Sequence, residues 1–192
     1  MSNLTLYLIF YLLLISGGFI LLRYLVPRDY LKHGKLSPLI AFLQAILFFI
    51  YGGFPTIYLD KTWPRVTVPI LFHAVGVSLV CIGLGILIYG MIRLGVFRSL
   101  GRGKAQFIKS GLYRITRNPQ GIACGIFVIG FFTLWPSWYA AGWALLYIIL
   151  IHLMILSEEQ HLKRVYGQEY VRYCRDVPRY LGKPFNNKLD SA

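Results

Sequence analysis

The chain has 192 residues, of which 57% are hydrophobic and 14% are charged, and its formal net charge is +13. Soluble domains carry roughly 25% charged residues, so this composition excludes an ordinary soluble protein and indicates a membrane protein of one domain's length. The Lys and Arg residues flank apolar runs and are not interleaved with exposed aromatics as in single-strand binders. We therefore expect them to meet membrane lipids, and we expect no nucleic-acid partner.

Five apolar runs divide the chain, and most are long enough to cross the ~30 Å hydrocarbon core. In chain order they are Leu4–Val26, Leu39–Leu59, Val66–Ile92, Gln120–Leu134 and Tyr139–Leu156. We expect Pro27 to end the first helix, Arg28–Lys35 to form a polar loop, and Pro69 to break the third helix early. The predicted fold is all-α: a polytopic membrane protein with about five transmembrane helices.

The third run contains three glycines, Gly76, Gly83 and Gly90, at intervals of seven residues. This interval returns to nearly the same face of a helix, and small residues on one face let two membrane helices approach closely. We interpret these glycines as a packing surface.

The last two runs are joined by the short aromatic turn Trp135–Trp138, which predicts a helical hairpin. Residues 158–177 then repeat apolar side chains at helical spacing, with an interruption near Gly167. This pattern favours an amphipathic helix in the membrane interface. We divide the chain into N-terminal membrane helices, 1–92, and a region that carries the chemistry, 93–192.

The charged loops predict the orientation of the chain in the membrane. Seventeen Lys and Arg residues lie within 28–35, 93–117 and 163–188, which share one side of a five-span protein. The opposite side holds only Lys61 and Arg65. By the positive-inside rule, the N-terminus is outside and the C-terminus is cytoplasmic.

A short basic stretch, Gly111–Gln120, lies between apolar runs on the predicted cytoplasmic side. Arg114 and Arg117 can hold a carboxylate or a phosphate. Pro119 suits the first turn of the following helix, and Asn118 suits its N-cap, where its side chain could bond first-turn amides. The alternative is an interfacial helix cap that binds no ligand.

Two of the seven acidic residues, Glu158 and Glu159, follow the last apolar run. Glu159 precedes Lys163 by four residues, so we expect a surface ion pair between them. Glu158 points about 100° away around the helix and is the better candidate to bind a ligand. The four histidines have no ligand spacing, so we expect no metal.

Two motifs in the C-terminal half resemble those of the isoprenylcysteine carboxyl methyltransferase and phospholipid N-methyltransferase group of membrane enzymes. The first reads Gly111-x-Tyr113-x-x-x-Arg117-Asn118-Pro119-Gln120-Gly121, where the group has Gly-x-Tyr-x-x-x-Arg-His-Pro-x-Tyr. The second reads Glu158-Glu159-x-x-Leu162-x-x-x-Tyr166-Gly167-x-x-Tyr170-x-x-Tyr173, followed by Val177-Pro178-Arg179. Gly101-Arg102-Gly103 also resembles small bacterial-type members. The resemblance covers about residues 94–179.

The resemblance implies a methyltransferase that binds S-adenosylmethionine at the cytoplasmic end of the hairpin and methylates a lipophilic acceptor from the bilayer. Arg117 and Glu158 would be its catalytic residues. The cofactor contacts that it implies are Ala105, Gln106, Phe107, Ile108, Tyr113, Asn118, Pro119, Gln120, Gly121 and Glu158. Positioning and exclusion of water would supply most of the catalysis, because the sulfonium methyl group is already reactive.

Three positions depart from the group's pattern. Asn118 replaces a histidine, Gly121 replaces a tyrosine, and Met154 stands where prenylcysteine enzymes have an arginine for the acceptor. The acceptor therefore stays open between a prenylcysteine-like carboxylate, an amine and a thiol. The alternatives are an NADPH-dependent membrane reductase related to sterol reductases and a non-enzymatic protein that keeps the scaffold. The sequence leaves the oligomeric state open.

Overall fold

A computed structural model of the chain describes residues 3–53, 66–94 and 108–182, and every regular element within these ranges is helical. The predicted all-α membrane class is confirmed. The elements are α1 (Asn3–Ile20), a π-helical turn (Leu21–Leu25), α2 (Val26–His33), α3 (Pro38–Gly53), α4 (Ile70–Leu94), a 3₁₀ turn (Gly111–Arg114), α5 (Pro119–Leu134) and α6 (Trp138–Asp176).

Three helices are long and apolar enough to cross a membrane: Leu4–His33, Ile70–Ile92 and Trp138–Asp176. Helices α3 and α5 are also apolar but have 16 residues each. At ~1.5 Å per residue they reach about 24 Å, less than the ~30 Å core. The structure therefore supports a membrane protein, and the expectation of five complete crossings stays a prediction.

The prediction that Pro27 ends the first helix is wrong, because a wider π-helical turn precedes it. In this turn the Val26 amide donates to the Leu21 carbonyl, and the next bond would need an amide that Pro27 lacks. The Ser157 hydroxyl of α6 donates to the Leu22 carbonyl instead. A side chain from another helix thus replaces the missing amide, and the first helix continues past the proline.

The predicted polar loop Arg28–Lys35 is likewise mostly helical. Helix α2 runs to His33 and ends at Gly34, whose φ of 67° suits the left-handed position that closes many helices. Asp29 fixes this end, because its carboxylate accepts from the Ser37 amide at 2.6 Å and contacts His33 Nδ1 at 2.9 Å. The connection to α3 is therefore short.

The heptad glycines of α4 form a packing surface against α5, as predicted. A Cβ added to Gly83 would lie 2.7 Å from the Ala123 carbonyl oxygen and 2.7 Å from the Phe127 amide nitrogen. A Cβ on Gly130 of α5 would lie 2.9 Å from the Gly76 carbonyl oxygen. The two backbones therefore meet directly, which holds α5 firmly from one side.

The predicted hairpin of α5 and α6 is present, with Ser137 as the N-cap of α6. On its other side α6 packs against α1 and α3. Leu150 fills the space at Gly18, and the rings of Tyr51 and Trp143 stack at 5.1 Å between centroids. These contacts fix the middle of α6, where Glu158 and Glu159 lie, relative to α1 and α3.

Candidate functional site

Glu159 lies at the centre of an ion-paired cluster. Its carboxylate contacts Arg117 Nη1 at 3.1 Å and accepts from Arg179 through Nε and Nη2, the shortest contact being 2.7 Å. The side chains of Arg117 and Glu159 are only 8% and 12% exposed. The expectation of a surface pair with Lys163 is therefore wrong: the carboxylate turns inward, where two guanidinium groups replace its water shell.

Main-chain hydrogen bonds join the same region to the segment after α6. The Arg117 amide donates to the Pro178 carbonyl at 2.9 Å, and Thr116 Oγ1 donates to the Arg179 carbonyl at 3.1 Å. We call this set, Thr116–Asn118 with Glu159 and Pro178–Arg179, the latch. It holds the start of α5 against the end of α6.

Asn118 occupies the N-cap of α5, and Pro119 its first turn, as predicted. The Asn118 side chain does not cap the helix, however. Its Nδ2 donates to the Arg179 carbonyl at 3.0 Å and so belongs to the latch. The positive end of the α5 dipole is therefore not covered by this amide side chain.

The latch contains two arginines and one carboxylate and so has a surplus positive charge. The hydrogen bonds that Arg179 donates to Glu159 raise the pKa of the Arg179 guanidinium above its usual value. Arg117 Nη1 also donates to Cys174 Sγ at 2.7 Å, while its buried Nε has no partner within the part of the chain that the structure describes. The break at Gly167 (φ 50°), which the sequence predicts, re-aims the end of α6 toward this cluster.

Glu158, unlike Glu159, has no part in the latch. It is exposed, and within the described ranges it forms no ion pair and no hydrogen bond. Its charge nevertheless acts on the hydroxyl groups of Tyr30 in α2 and Tyr113 in the 3₁₀ turn. Both tyrosines therefore lie within electrostatic reach of the Glu158 carboxylate.

Tyr113 is held next to this carboxylate by α6. The Tyr173 hydroxyl donates to the Tyr113 carbonyl at 2.7 Å. Burial, and then the charge of Glu158, raise the pKa of the Tyr113 hydroxyl well above its usual value. The phenol therefore stays protonated and can donate a hydrogen bond across the physiological pH range.

Tyr30 of α2 is the second tyrosine whose hydroxyl group the charge of Glu158 affects. Its ring stacks on His161 with centroids 4.0 Å apart and planes 11° from parallel. His161 lies one turn beyond Glu158 on α6, so the stack fixes α2 beside the acid. Sequence reasoning missed Tyr30, because it assigned residues 28–35 to a loop.

Gly121 is the position where the resembling enzymes have a tyrosine. A Cβ here would lie 3.3 Å from Ile151 Cγ1, and the Tyr147 hydroxyl donates to the Gly121 carbonyl at 2.6 Å. The close approach of α6 leaves little room for a large side chain at this position. An aromatic ring from α6 instead lies against this turn of α5.

The structure brings Tyr113, Glu158 and the start of α5, residues 118–121, to one end of the helical bundle. Ile108, half-buried, begins the same described segment. Ala105, Gln106 and Phe107, with Gly101–Gly103, lie outside the described residues. Sequence reasoning quoted Arg179 without giving it a role. Its position in a Val-Pro-Arg segment just after the last helix was the available signal.

A separate groove of about 420 Å³ lies further along α6, lined by Lys109, Glu169, Arg172, Tyr173 and Asp176. Lys109 and Glu169 pair across it at 2.7 Å and are both about half exposed. Because the pair satisfies its own charges in solvent, we place the candidate site at Glu158 and not here.

Comparison with known protein families gives a match over the helices that carry this site. The profile of the phospholipid methyltransferase family matches residues 71–169, just over half of the chain, from α4 to the break in α6. No curated protein and no solved structure matches the chain. With the match extending over the glycine-packed helix pair and both acidic residues, the chain belongs to the phospholipid methyltransferase family of membrane proteins.

Proposed function

We propose that the protein transfers a methyl group from S-adenosylmethionine to a lipophilic acceptor that enters from the bilayer. The observation that carries this proposal is the exposed carboxylate of Glu158, whose charge acts on the hydroxyl groups of Tyr30 and Tyr113 and which has no ion-pair partner among the described residues. A carboxylate in such a place is costly unless a ligand or water satisfies it.

The residues present fit this cofactor. Glu158 can accept hydrogen bonds from an amine or a ribose, and Tyr113 offers a phenol that stays protonated. The start of α5, residues 118–121, contributes a partial positive charge suited to a carboxylate. Ile108, together with Ala105, Gln106 and Phe107, would complete the contacts that the sequence motifs imply.

Arg117 supports the site through the latch. It holds Glu159, and with Thr116 and Asn118 it fixes the start of α5 against the end of α6. We propose that Arg117 and the surplus positive charge of the latch help to position the cofactor. Loss of Arg117 would then misplace Asn118–Gly121 and expose Glu159.

When bound, S-adenosylmethionine would supply a methyl group on a positively charged sulfur: a lone pair of the acceptor would form the new bond to this carbon, and the electrons of the broken carbon–sulfur bond would stay on the sulfur. The chain's own contribution is to bind, to orient and to exclude water. Helices α2, α5 and α6 would surround the reacting groups, and Glu158 would provide the local negative charge. We propose that this site faces the cytoplasm, where the cofactor is available.

The test is equilibrium binding of S-adenosylmethionine to the purified full-length protein in detergent, with NADPH titrated in parallel. We expect Glu158→Gln to weaken S-adenosylmethionine binding at least tenfold, which corresponds to about 1.4 kcal/mol. Glu169→Gln is the matched control, since Glu169 makes only an exposed ion pair, and it should leave the affinity within twofold.

Native protein that binds neither compound would contradict an enzymatic role and favour a protein that keeps only the scaffold. Binding of NADPH alone would favour a reductase. Equal affinities for native protein and Glu158→Gln would remove Glu158 from the cofactor site.

A further inference from the structure

Gln44 is a polar residue in the middle of the apolar helix α3, and nothing in the methyl-transfer proposal above uses it. Its Nε2 donates to the sulfur of Met154 on α6 at 3.2 Å. A thioether sulfur can only accept, so the amide must turn its nitrogen toward Met154 and its oxygen away. The contact therefore fixes which way the amide faces.

The amide oxygen of Gln44 is left without a partner. Oε1 is buried, and no hydrogen-bond donor among the described residues reaches it. A buried acceptor without a donor costs about 1–3 kcal/mol, and native proteins rarely keep one without a reason. The unmatched oxygen indicates a place where a donor on a ligand would be stabilised.

This oxygen lies beside the proposed site. Met154 precedes Glu158 by four residues, so both side chains project from the same face of α6, about 6 Å apart along the helix. Side chains of a helix lean toward its N-terminus, which here is the direction of the bilayer interior. Gln44 therefore lies on the membrane side of Glu158, where a lipid headgroup would enter.

Resting on the proposed function, we propose that Gln44 is the residue that selects the methyl acceptor, by accepting a hydrogen bond from a headgroup that carries an N–H donor. The amide oxygen has no proton to donate and would repel a carboxylate. Helix α3 lies outside residues 71–169, so the family match assigns no role to this position.

The contact between Gln44 and Met154 also explains why residue 154 departs from the pattern of the prenylcysteine enzymes. A cation there would attract a carboxylate acceptor, whereas the pair of Met154 and Gln44 presents an uncharged acceptor oxygen. Together with the negative charge of Glu158, the local chemistry favours an amine headgroup over a prenylcysteine carboxylate. Gln44 and Met154, from two helices, would thus take the place of the arginine that prenylcysteine enzymes have for the acceptor.

The test compares native protein with Gln44→Leu, which keeps the size of the side chain and removes the amide. Binding of phosphatidylethanolamine, with phosphatidylcholine as the fully methylated control lipid, is measured without cofactor from the shift in thermal unfolding midpoint in detergent. Transfer of label from S-adenosylmethionine to the same two lipids, and to farnesylcysteine, is measured in vesicles. Gln160→Leu, at an exposed position of α6, is the control variant.

We expect Gln44→Leu to lose the stabilisation by phosphatidylethanolamine and at least tenfold of kcat/KM for this lipid. Its affinity for S-adenosylmethionine should stay within twofold, which also reports a folded site. Gln44→Glu, which keeps an acceptor oxygen, should retain transfer to the amine. Farnesylcysteine should be a poor acceptor for every variant.

Unchanged lipid preference in Gln44→Leu would overturn this inference and leave the proposed function standing. A parallel loss of cofactor affinity would also overturn it, because Gln44 would then belong to the cofactor site. Native protein that binds cofactor but labels no lipid would instead contradict the proposed methyl transfer itself, and the selection by Gln44 would fall with it.

Discussion

Glu158 and Glu159 are adjacent in the sequence, yet the two faces of α6 that they occupy differ in almost every physical respect. Glu159 is enclosed, and its charge is met by Arg117 and Arg179. Glu158 is open, and the described residues around it include no cation that pairs with it. A step of about 100° around one helix separates a structural acid from a candidate binding acid.

Two adjacent acids can thus have separate roles, one in stability and one in binding. The closed face stabilises the position of the α5 start, because one carboxylate holds two segments that are distant in sequence. The open face keeps an unsatisfied charge available at the place that the closed face has fixed. Substitutions that affect stability and binding separately therefore test whether the two faces differ in this way.

The largest expected effect is on the closed face. Glu159→Gln leaves the nearly buried guanidinium group of Arg117 and the partly exposed one of Arg179 without their carboxylate. Breaking a buried pair costs about 3–5 kcal/mol. We expect the free energy of unfolding in a denaturant titration to fall by this amount. Glu158→Gln, the same change one residue earlier, should alter it by less than about 0.5 kcal/mol.

Equal losses of stability from the two changes would mean that the faces do not differ as described. A stable Glu159→Gln protein would instead mean that the hydrogen bonds of Thr116 and Asn118 hold the latch without the ion pair.

A smaller effect is expected from Asn118→Ala. The amide donates one hydrogen bond to the Arg179 carbonyl, and such a bond contributes about 1 kcal/mol. We expect a loss of this size in the free energy of unfolding, with cofactor affinity within twofold, because we propose that residue 118 meets the cofactor through its main chain. A tenfold loss of affinity without a change in stability would place the Asn118 side chain on the open face.

The smallest effect is expected from the exposed pair of Lys109 and Glu169. Both side chains are about half exposed, and such pairs contribute about 0.2–1 kcal/mol. Lys109→Ala should lower the thermal unfolding midpoint in low-salt detergent only slightly, and added salt should remove the difference. A loss as large as that of Glu159→Gln would show that the latch is not the main electrostatic contact at this end of the bundle.

Much of the fold could be predicted from patterns of short range. The apolar runs, the glycines of α4, the Trp135–Trp138 turn and the break at Gly167 are each determined by residues close together in the chain. The predictions at Pro27 and Glu159 were wrong for one shared reason. In both cases the partner that decides the outcome, Ser157 or Arg179, comes from an element that local patterns do not bring near.

By itself, the sequence determined the membrane class, the helical composition and the two motifs that point to methyl transfer, because hydrophobic length and motif spacing are local properties of a chain. The contacts between helices, in contrast, show that Glu159 pairs with Arg117 and Arg179 and not with Lys163, and that Gln44 lies beside Met154. Those outcomes depend on side-chain contacts between helices, and the electrostatic and hydrogen-bond energies of such contacts change over a few ångströms.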